Sequence, residues 1–309
     1  MRLKCLRICL GLSSVRIGVD VGGTTVKIGI VDNYKILDCY SIKTNKDSLF
    51  DDIYKSIKEY ISKNNINVSG IGFGLPGSVN NNYIKALPNV GLYDIDLKEI
   101  HNKYFKDINL YSTNDANCAA LGEHLNNPKY HSSYLLTLGT GVGGGYIYND
   151  KLVIGANCCT GEVGHMFIGS EFNFKCTCGL TNCLETIASA TGVTRLYKLF
   201  SNSKEDITAK EVFDLAKSND DIALHVIDTV SKALAHALAN IQVTCDVDIF
   251  YLAGGVSLAG DILLNNVRKY YKEYAHYGVK DTPIEISTLK EKAGMLGSAY
   301  LWWFYENWA

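Results

Sequence analysis

The order of predicted elements repeats once along the chain, and this duplication is the feature that most constrains the fold. Residues 15 to 43 contain three segments in which apolar residues alternate with small or polar ones, "VRIGVDV", "VKIGIV" and "ILDCYSI", and "GGTT" separates the first two. Such alternation predicts a meander of three strands. A second set, "SYLLTL", "GGGYIY" and "KLVIG", follows at residues 133 to 155. We therefore expect a duplicated α/β unit with a ligand cleft between its halves.

Helices and further strands follow each meander. In the first half, the spacing of Leu49, Ile53, Ile57 and Ile61 predicts an amphipathic helix over residues 47 to 64. A strand at 68 to 73, a short helix from Asp94 to Tyr104, a strand in "INLYS" and a helix at 116 to 125 come next. In the second half we expect helices between 191 and 243, the strand "DIFYLAGG", the helix "LAGDILLNNVRKYY" and a last helix beginning near residue 291.

Composition indicates a globular protein with a small partner. Apolar residues make up 47% of the chain and charged residues 20%, and the net charge of −2 gives no general attraction for nucleic acid. We find no segment with the roughly 20 uncharged apolar residues that cross a bilayer. Arg2, Lys4 and Arg7 interrupt the apolar N-terminus, which we interpret as a tail and not as a signal peptide. The expected location is the cytoplasm, without membrane or nucleic-acid partners.

Three glycine-rich turns are candidates for nucleotide contact. "DVGGTTVK" is either a plain hairpin turn or a turn whose amides hold phosphate. "LGTGVGGG" contains a formal G-x-G-x-x-G, but the strand-like "YIYND" follows it, whereas a dinucleotide fingerprint needs a helix there. In "LAGGVS", Gly254 and Gly255 either allow helix packing or let a flat adenine or ribose approach the backbone.

Two segments supply candidate acid and base groups. Asn114 and Asp115 in "STNDANCAALGE" precede a predicted helix, so they either cap it or include a carboxylate that accepts a hydroxyl proton. "GEVGH" places Glu162 and His165 between glycines. An unpartnered buried glutamate would be costly, so Glu162 is either exposed or meets hydroxyl donors such as those of a sugar.

The segment "CTCGLTNCLE" concentrates three of the ten cysteines in eight positions. In a reducing compartment this spacing favours metal ligation, with buried or redox-active thiols as the alternative. His165 lies eleven residues before Cys176 and completes a Cys3His set, which suits structural zinc. We expect the metal to fix a loop that otherwise lacks a hydrogen-bonded reason to be rigid. His165 could then direct its second ring nitrogen at a ligand, and Glu185 would leave the same loop.

Five motifs in order, "DVGGTTVK", "NDANCAALGE", "LGTGVGGG", "GEVGH" and "CTCGLTNCLE", make the chain resemble the bacterial ROK family of repressors and sugar kinases from about Val15 to the end. Its cysteine motif matches the family pattern except for Asn182, where glycine is usual, so the turn there is open to change. "ETIASATG" resembles the glucokinase-like members in particular.

The resemblance implies an actin-like ATPase (ribonuclease H-like) fold, with two α/β lobes around a central cleft that holds ATP and Mg²⁺. The implied activity is transfer of the ATP γ-phosphate to a hexose, with glucose as the first choice and N-acetylmannosamine, other hexoses or β-glucosides as alternatives. A non-catalytic sugar sensor or a repressor is the alternative of another class. A repressor needs a helix-turn-helix module, and only about fourteen residues precede the first strand.

The resemblance also assigns residues to roles. Asp115 is the expected catalytic base. The sugar ligands are expected to be Gly77, Asn89, Asn114, Asp115, Glu162, His165 and Glu185. The expected contacts of ATP and Mg²⁺ are Asp20, Gly23, Thr24, Lys27, Thr140, Gly141, Gly254 and Gly255. The expected ligands of a structural Zn²⁺ are His165, Cys176, Cys178 and Cys183.

Domain boundaries follow from the duplicated pattern. We expect a tail at 1–14, an N-terminal lobe at 15–117 completed by a C-terminal helix at 291–309, and a C-terminal lobe at 118–290 that contains the zinc-binding loop 165–183. Members of the resembled family are usually homodimers or homotetramers. The aromatic C-terminus "YLWWFYENW" is either an oligomer contact or the last helix packed into its own lobe, and we favour packing.

Overall fold

The computed structural model describes residues 15 to 302 of the chain. The expected N-terminal tail and the aromatic residues beyond Trp302 lie outside this range. The described chain forms two compact units, 15–118 with 294–302, and 119–293. The C-terminal segment from Gly294 thus belongs to the first unit.

The first unit is built on a five-stranded sheet and a separate three-stranded sheet. Its strands are β1 Val15–Val21, β2 Thr25–Asp32, β3 Lys35–Lys43, β4 Val68–Leu75, β5 Ser78–Asn80, β6 Tyr83–Leu87, β7 Leu92–Asp96 and β8 Asn109–Asn114. Its helices are α1 Leu49–Asn64, α2 Leu97–Tyr104, the start of α3 Asp115–Asn126, and most of α9 Lys292–Ala299. The large sheet has the order β3-β2-β1-β4-β8, and the small one β5-β6-β7.

The small sheet corrects one sequence prediction. The helix expected from Asp94 begins only at Leu97, because residues 92 to 96 form β7. Asp94 has φ of +51°, which a right-handed helix does not accommodate. Asp96 is the N-cap of α2, and its carboxylate accepts a hydrogen bond of 3.1 Å from the Glu99 amide.

The C-terminal helix packs directly on the large sheet of the first unit. A Cβ added at Gly72 of β4 would lie 1.8 Å from the Ser298 carbonyl oxygen, so this strand position needs glycine. Beyond the helix, Tyr300 stacks on Tyr34 with ring centroids 4.5 Å apart, and the Arg16 guanidinium lies 4.0 Å from the Trp302 ring centroid. The described part of the aromatic C-terminus therefore packs within its own unit.

The second unit repeats the strand order of the first. Its strands are β9 Ser133–Leu138, β10 Val142–Tyr148, β11 Lys151–Val153, β12 Ile249–Ala253 and β13 Ile284–Ile286, in the order β11-β10-β9-β12-β13. Its other helices are α4 Glu185–Ala188, α5 Ala190–Ser201, α6 Ala209–Lys217, α7 Asp221–Cys245 and α8 Asp261–Tyr274. In both sheets the first three strands form an antiparallel meander, and the later two pair in parallel beside the first. The duplication predicted from the sequence is confirmed.

Helix α7 is the core helix of the second unit. Among the described residues it alone is long and apolar enough to cross a membrane by length and composition, but 61% of its most apolar window is buried in the protein. Its exposed side carries an ion pair of 2.8 Å between Lys232 and Asp228. Burial against the sheet accounts for its apolar residues.

A buried carboxylate fixes the chain segment between β13 and α9 to helix α3. Glu123 has no exposed surface, and its oxygens accept hydrogen bonds from the Ser287 hydroxyl at 2.6 Å, the Thr288 amide at 3.0 Å, the Thr288 hydroxyl at 2.9 Å and the Leu289 amide at 3.2 Å. Four donors satisfy a buried carboxylate without a cation. Glu123 lies a few residues after Cys118, where the first unit gives way to the second. Its partners at 287 to 289 lie a few residues before Gly294, where the chain returns to the first unit.

We expect Glu123→Gln to lower the free energy of unfolding by about 2 to 4 kcal/mol, because the glutamine NH₂ group must face amide or hydroxyl donors that the carboxylate accepts from. Urea denaturation followed by circular dichroism measures this loss. Glu273→Gln on the exposed face of α8 is the matched control and should change stability by less than about 0.5 kcal/mol. A similar small effect in both variants would show that the four contacts contribute little.

Candidate active site and metal cluster

The candidate residues of the first unit lie along one edge of its large sheet. Strands β1, β4 and β8 run parallel, with Asp20 opposite Gly74 and Gly74 opposite Thr113. Their carboxyl ends therefore share one edge, where ligands usually bind in such sheets. The segments that leave these ends carry the Gly23–Thr24 turn, Gly77 and Asn114–Asp115.

The turn between β1 and β2 leaves two neighbouring amides available. The Gly22 amide donates to the Thr25 carbonyl at 3.0 Å, and the Thr44 hydroxyl donates to the Gly22 carbonyl at 2.8 Å. Within residues 15–302, the amides of Gly23 and Thr24 have no protein acceptor, and both residues are exposed. A Cβ at Gly23 would meet nothing within 4 Å, so packing does not require this glycine. Free consecutive amides are typical of anion-binding turns.

Lys27 lies directly opposite Asp20 across the β1–β2 ladder. The cross-strand register therefore places Lys27 and Asp20 on the same face of the sheet, near the edge that carries this turn.

Asn114 links the start of α3 to the segment after β4. Its side-chain oxygen accepts from the Ala116 amide at 2.8 Å, and its side-chain amide donates to the Gly77 carbonyl at 3.2 Å. The Asp115 carboxylate also accepts from the Ala116 amide, at 2.8 Å. The capping role that the sequence left open is therefore present. This bond does not exclude a role for Asp115 as a base.

Asp20 and Asp115 influence one common atom, the Cys118 thiol. Burial is the main cause that raises the pKa of this thiol, and the negative charges of both carboxylates raise it further. Both carboxylates therefore lie near enough to the Cys118 thiol for their charges to act on it.

The small sheet positions Asn89. The sequence analysis gave this residue as an expected sugar ligand but did not predict the sheet. Asn89 lies exposed in the turn between β6 and β7. Gly77 packs closely on β6, since a Cβ there would lie 2.0 Å from the Ala86 carbonyl oxygen. The alternation in "SVNNNYIKAL" was the available sequence signal for these strands.

In the second unit, two glycine turns meet at the carboxyl ends of parallel strands. Thr137 of β9 lies opposite Ala253 of β12, so the Gly139–Gly141 turn and Gly254 follow at the same edge. A Cβ at Gly254 would lie 2.6 Å from the Leu138 carbonyl oxygen. Strand β10 directly follows the first of these turns, so the dinucleotide-fold interpretation is excluded, as the sequence indicated.

The β9–β10 turn resembles the β1–β2 turn in its free amides. The Gly139 amide donates to the Gly141 carbonyl at 2.9 Å, but the amides of Thr140 and Gly141 find no acceptor among residues 15–302. Thr140 is exposed, and a Cβ at Gly139 would meet nothing within 4 Å. Each unit thus presents one turn able to bind an anion through consecutive amides.

The Cys3His set predicted from the sequence is assembled. One ligand atom from each of His165, Cys176, Cys178 and Cys183 lies within 4.8 Å of all the others. His165 Nδ1 is 3.6 Å from Cys176 Sγ, and the sulfurs of Cys178 and Cys183 are 3.7 Å apart. Ligands of a tetrahedral zinc with bonds of roughly 2.0 to 2.3 Å lie about 3.5 to 3.8 Å apart. The donor set and these two spacings fit a structural Zn²⁺.

The pKa values of two thiols in this cluster shift in opposite directions. A hydrogen bond with the Leu180 backbone is the main cause that lowers the pKa of Cys178, whereas burial raises the pKa of Cys183 to about 12. Zinc binds cysteine as thiolate, so metal binding at this cluster would release protons.

The cluster loop also has hydrogen bonds of its own, which corrects the expectation that only a metal makes it rigid. The Ile168 amide donates to the Asn182 carbonyl at 3.0 Å, the Leu184 amide to the Met166 carbonyl at 2.8 Å, and the Cys176 amide to the Leu180 carbonyl at 2.8 Å. Phe167 and Cys183 form an isolated antiparallel bridge.

Asn182 takes a left-handed backbone conformation, which glycine also adopts readily. Its φ is +58°, a left-handed value that asparagine tolerates better than most residues. Its side-chain amide donates to the Asn173 side-chain oxygen at 3.1 Å. With asparagine at this position, all four candidate ligands lie together.

Glu162 and His165 lie side by side. His165 Nε2 is 3.9 Å from a Glu162 carboxylate oxygen, while Nδ1 faces the cysteines. The Glu162 side chain is 53% exposed, so its charge needs no buried partner. Glu185 lies differently, because its Oε2 accepts from the Val142 amide at 3.0 Å and its Oε1 is 3.7 Å from Cys176 Sγ.

Comparison with known proteins identifies the family. Residues 16 to 303 match the ROK family. The chain belongs to the ROK family. It is 35% identical over 316 residues to a glucokinase of Halalkalibacterium halodurans, a match that covers 94% of this chain and 96% of that protein. It is 28% identical over 290 residues to an N-acetylmannosamine kinase of Haemophilus influenzae, covering 92% and 94%.

The fold agrees with this ROK assignment. A ROK family glucokinase from Streptomyces griseus, solved in complex with glucose and AMPPNP, superposes with a TM-score of 0.77 at 27% identity and covers 93% of this chain and 99% of that one. The family and the actin-like ATPase fold predicted from the five motifs are confirmed.

We expect Cys178→Ser to lose bound zinc and to lower the melting temperature by several degrees, because a structural metal contributes its binding free energy to folding. Elemental analysis of the purified protein and thermal melts with and without a chelator measure both effects. Cys39→Ser, on an exposed strand position away from the cluster, is the matched control. A wild-type protein that is purified without metal and gains no stability from added zinc would contradict the assignment.

Proposed function

We propose that this ROK protein is an ATP-dependent hexose kinase that transfers the γ-phosphate of ATP to a sugar hydroxyl, with glucose as its substrate. One observation carries the proposal: each unit has a glycine turn with two consecutive acceptor-free amides, and Asp115 lies at the same sheet edge as the first of these turns. Amides of this kind bind phosphate oxygens, and the carboxylate can accept a hydroxyl proton. The similarity to the H. halodurans glucokinase supports the same conclusion.

Each unit, taken by itself, offers groups that suit a nucleotide. In this proposal the amides of the Gly23–Thr24 turn and of the Thr140–Gly141 turn bind phosphate oxygens, and Lys27 adds a positive charge to the first turn. Gly254 and Gly255 allow the adenosine to approach the backbone at the β12 end. Asp20 would hold Mg²⁺, which neutralises charge on the phosphate oxygens. Phosphoryl transfer depends mainly on such positioning and charge neutralisation.

The proposed sugar contacts combine one side chain held by hydrogen bonds with side chains that are exposed. Asn114 is held by Gly77 and Ala116, and Asn89 lies exposed at the end of the small sheet. Glu162 and His165 present a paired acceptor and donor, which suits two hydroxyls of one sugar. Glu185 is placed beside them by the cysteine cluster, which would hold Zn²⁺ as a structural element.

Asp115 acts as the base in this mechanism. Its carboxylate accepts the proton of the attacking sugar hydroxyl as the oxygen bonds to the γ-phosphorus, and ADP leaves with the electron pair of the broken P–O bond. The Ala116 amide holds the carboxylate in place through Oδ1. Oδ2 is the oxygen that we assign to the hydroxyl.

Glucose is favoured over N-acetylmannosamine by the comparisons, since the glucokinase match is closer than the N-acetylmannosamine kinase match. An ADP-release assay with glucose, N-acetylmannosamine, mannose, fructose, N-acetylglucosamine and a β-glucoside tests the choice. The highest kcat/KM is expected with glucose. A preference for N-acetylmannosamine would select the alternative substrate, and no turnover with any sugar would favour a non-catalytic sensor.

The cellular setting follows from the substrates. ATP and free hexoses meet in the cytoplasm, and we place the protein there. We also propose a homodimer or homotetramer, a state that light scattering at two protein concentrations would test.

We expect Asp115→Asn to lower kcat by about 100-fold or more while glucose affinity changes little, because the amide keeps the cap hydrogen bond but cannot accept the proton. Steady-state kinetics and calorimetric titration with glucose separate the two effects. Asp94→Asn, at an exposed position of strand β7 in the same unit, is the control and should retain full turnover. Near-normal kcat in Asp115→Asn would remove this residue from the role of base.

A further inference from the structure

Three residues of the segment 185–191 contact the glycine turn between β9 and β10 or the first residue of β10. The Glu185 carboxylate accepts from the Val142 amide at 3.0 Å, the Ala190 amide donates to the Gly139 carbonyl at 2.8 Å, and the Thr191 hydroxyl donates to the Thr140 carbonyl at 3.1 Å. These bonds use the carbonyls and the outer amide of the turn. They leave the amides of Thr140 and Gly141 pointing to no acceptor within residues 15–302.

Gly141 makes room for the carboxylate. A Cβ at this position would lie 2.3 Å from Glu185 Oε2, well inside van der Waals contact. The carboxylate therefore occupies the space that any side chain at residue 141 would need. Residue 141 and residue 185 fit each other as a pair.

The cysteine cluster determines where Glu185 stands. Glu185 follows Cys183 by two residues and begins α4, and the Thr186 amide donates to the Cys183 carbonyl at 2.9 Å. The Leu184 amide is bonded to the Met166 carbonyl at 2.8 Å, one residue after His165. Both neighbours of Glu185 in this turn are thus tied to residues at or next to cluster ligands.

We propose that Glu185 is a positioning residue which transmits the rigidity of the Cys3His cluster to the phosphate-binding amides of Thr140 and Gly141. The effect of Glu185 on nucleotide binding rests on the proposed kinase function, whereas the effect of Glu185 on the β9–β10 turn does not. A turn that is exposed at Thr140 binds an anion well only if its two amides are held in advance, since ordering them on binding costs free energy. Sugar contact through Oε1 is compatible with this role, because Oε2 bears the bond to Val142.

Hydrogen exchange in the absence of substrates tests the turn directly. Glu185→Ala should speed exchange of the Val142 amide by about tenfold or more, because the amide loses a charged acceptor. Glu185→Gln keeps an acceptor oxygen and should restore most of the protection, and Glu171→Gln, an exposed glutamate of the same loop, should match the wild type. Equal exchange in the Ala variant and the wild type would refute the proposal. Circular dichroism confirms that each variant is folded.

A double-mutant cycle tests the pair. Gly141→Ala should displace the carboxylate and speed exchange of Val142 about as much as Glu185→Ala does. Adding Gly141→Ala to Glu185→Ala should then change little, because the carboxylate is already gone. Fully additive effects would show that the two residues act independently and would contradict the pairing.

Two further measurements test the link from Glu185 to the cysteine cluster and the link from Glu185 to nucleotide binding. A zinc chelator should speed Val142 exchange in the wild type and have little further effect in Glu185→Ala, and no effect in the wild type would break the link to the cluster. Calorimetry with AMPPNP and no sugar should show an affinity loss of about tenfold in Glu185→Ala. An unchanged AMPPNP affinity would limit Glu185 to sugar binding. A wild type that binds no AMPPNP would count against the proposed kinase and would leave the exchange result standing.

Discussion

The parallel pairing of later strands beside the first strand of each meander is the constraint on which the candidate site depends. Because β1, β4 and β8 run in one direction, three segments that are distant in sequence leave the sheet at one edge, and they carry the Gly23 turn, Gly77 and Asp115. The same pairing in the second unit brings the Gly139 turn beside Gly254. Strands β1, β4, β9 and β12 are mostly buried, so the chemistry lies in the residues that follow their ends.

Short-range patterns in the sequence were sufficient for most of the fold. The period of two in the meanders and the i, i+4 spacing in α1 gave elements whose observed bounds differ by only a few residues. The small sheet was missed because its strands are three to five residues long and one positive-φ residue, Asp94, interrupts a segment with helical composition. The bonds of Glu123 were missed for another reason, since its partners lie about 165 residues away and no local pattern reports them.

The site shows the same division between local and long-range information. The Cys3His cluster could be predicted because three of its residues lie in one short segment and the residue types define the donor set. The place of Asn114 could be predicted from the helix start, but its bond to Gly77 depends on the pairing of β4 with β8. Glu185 was expected from the family pattern to face a sugar. Its bond to Val142 follows from the position of β10, which the motif does not encode.

Glycine in this protein serves two different physical purposes, and the distinction separates fold from function. At Gly72 and Gly141 another group of the protein fills the space of the missing side chain, so these residues are required by packing within their own units. At Gly23 and Gly139 a Cβ would meet nothing, and each lies in a turn with two acceptor-free amides. Packing cannot account for glycine there. In the function proposed above, a phosphate group that approaches the backbone closely accounts for it, because the free amides of these turns suit an anion.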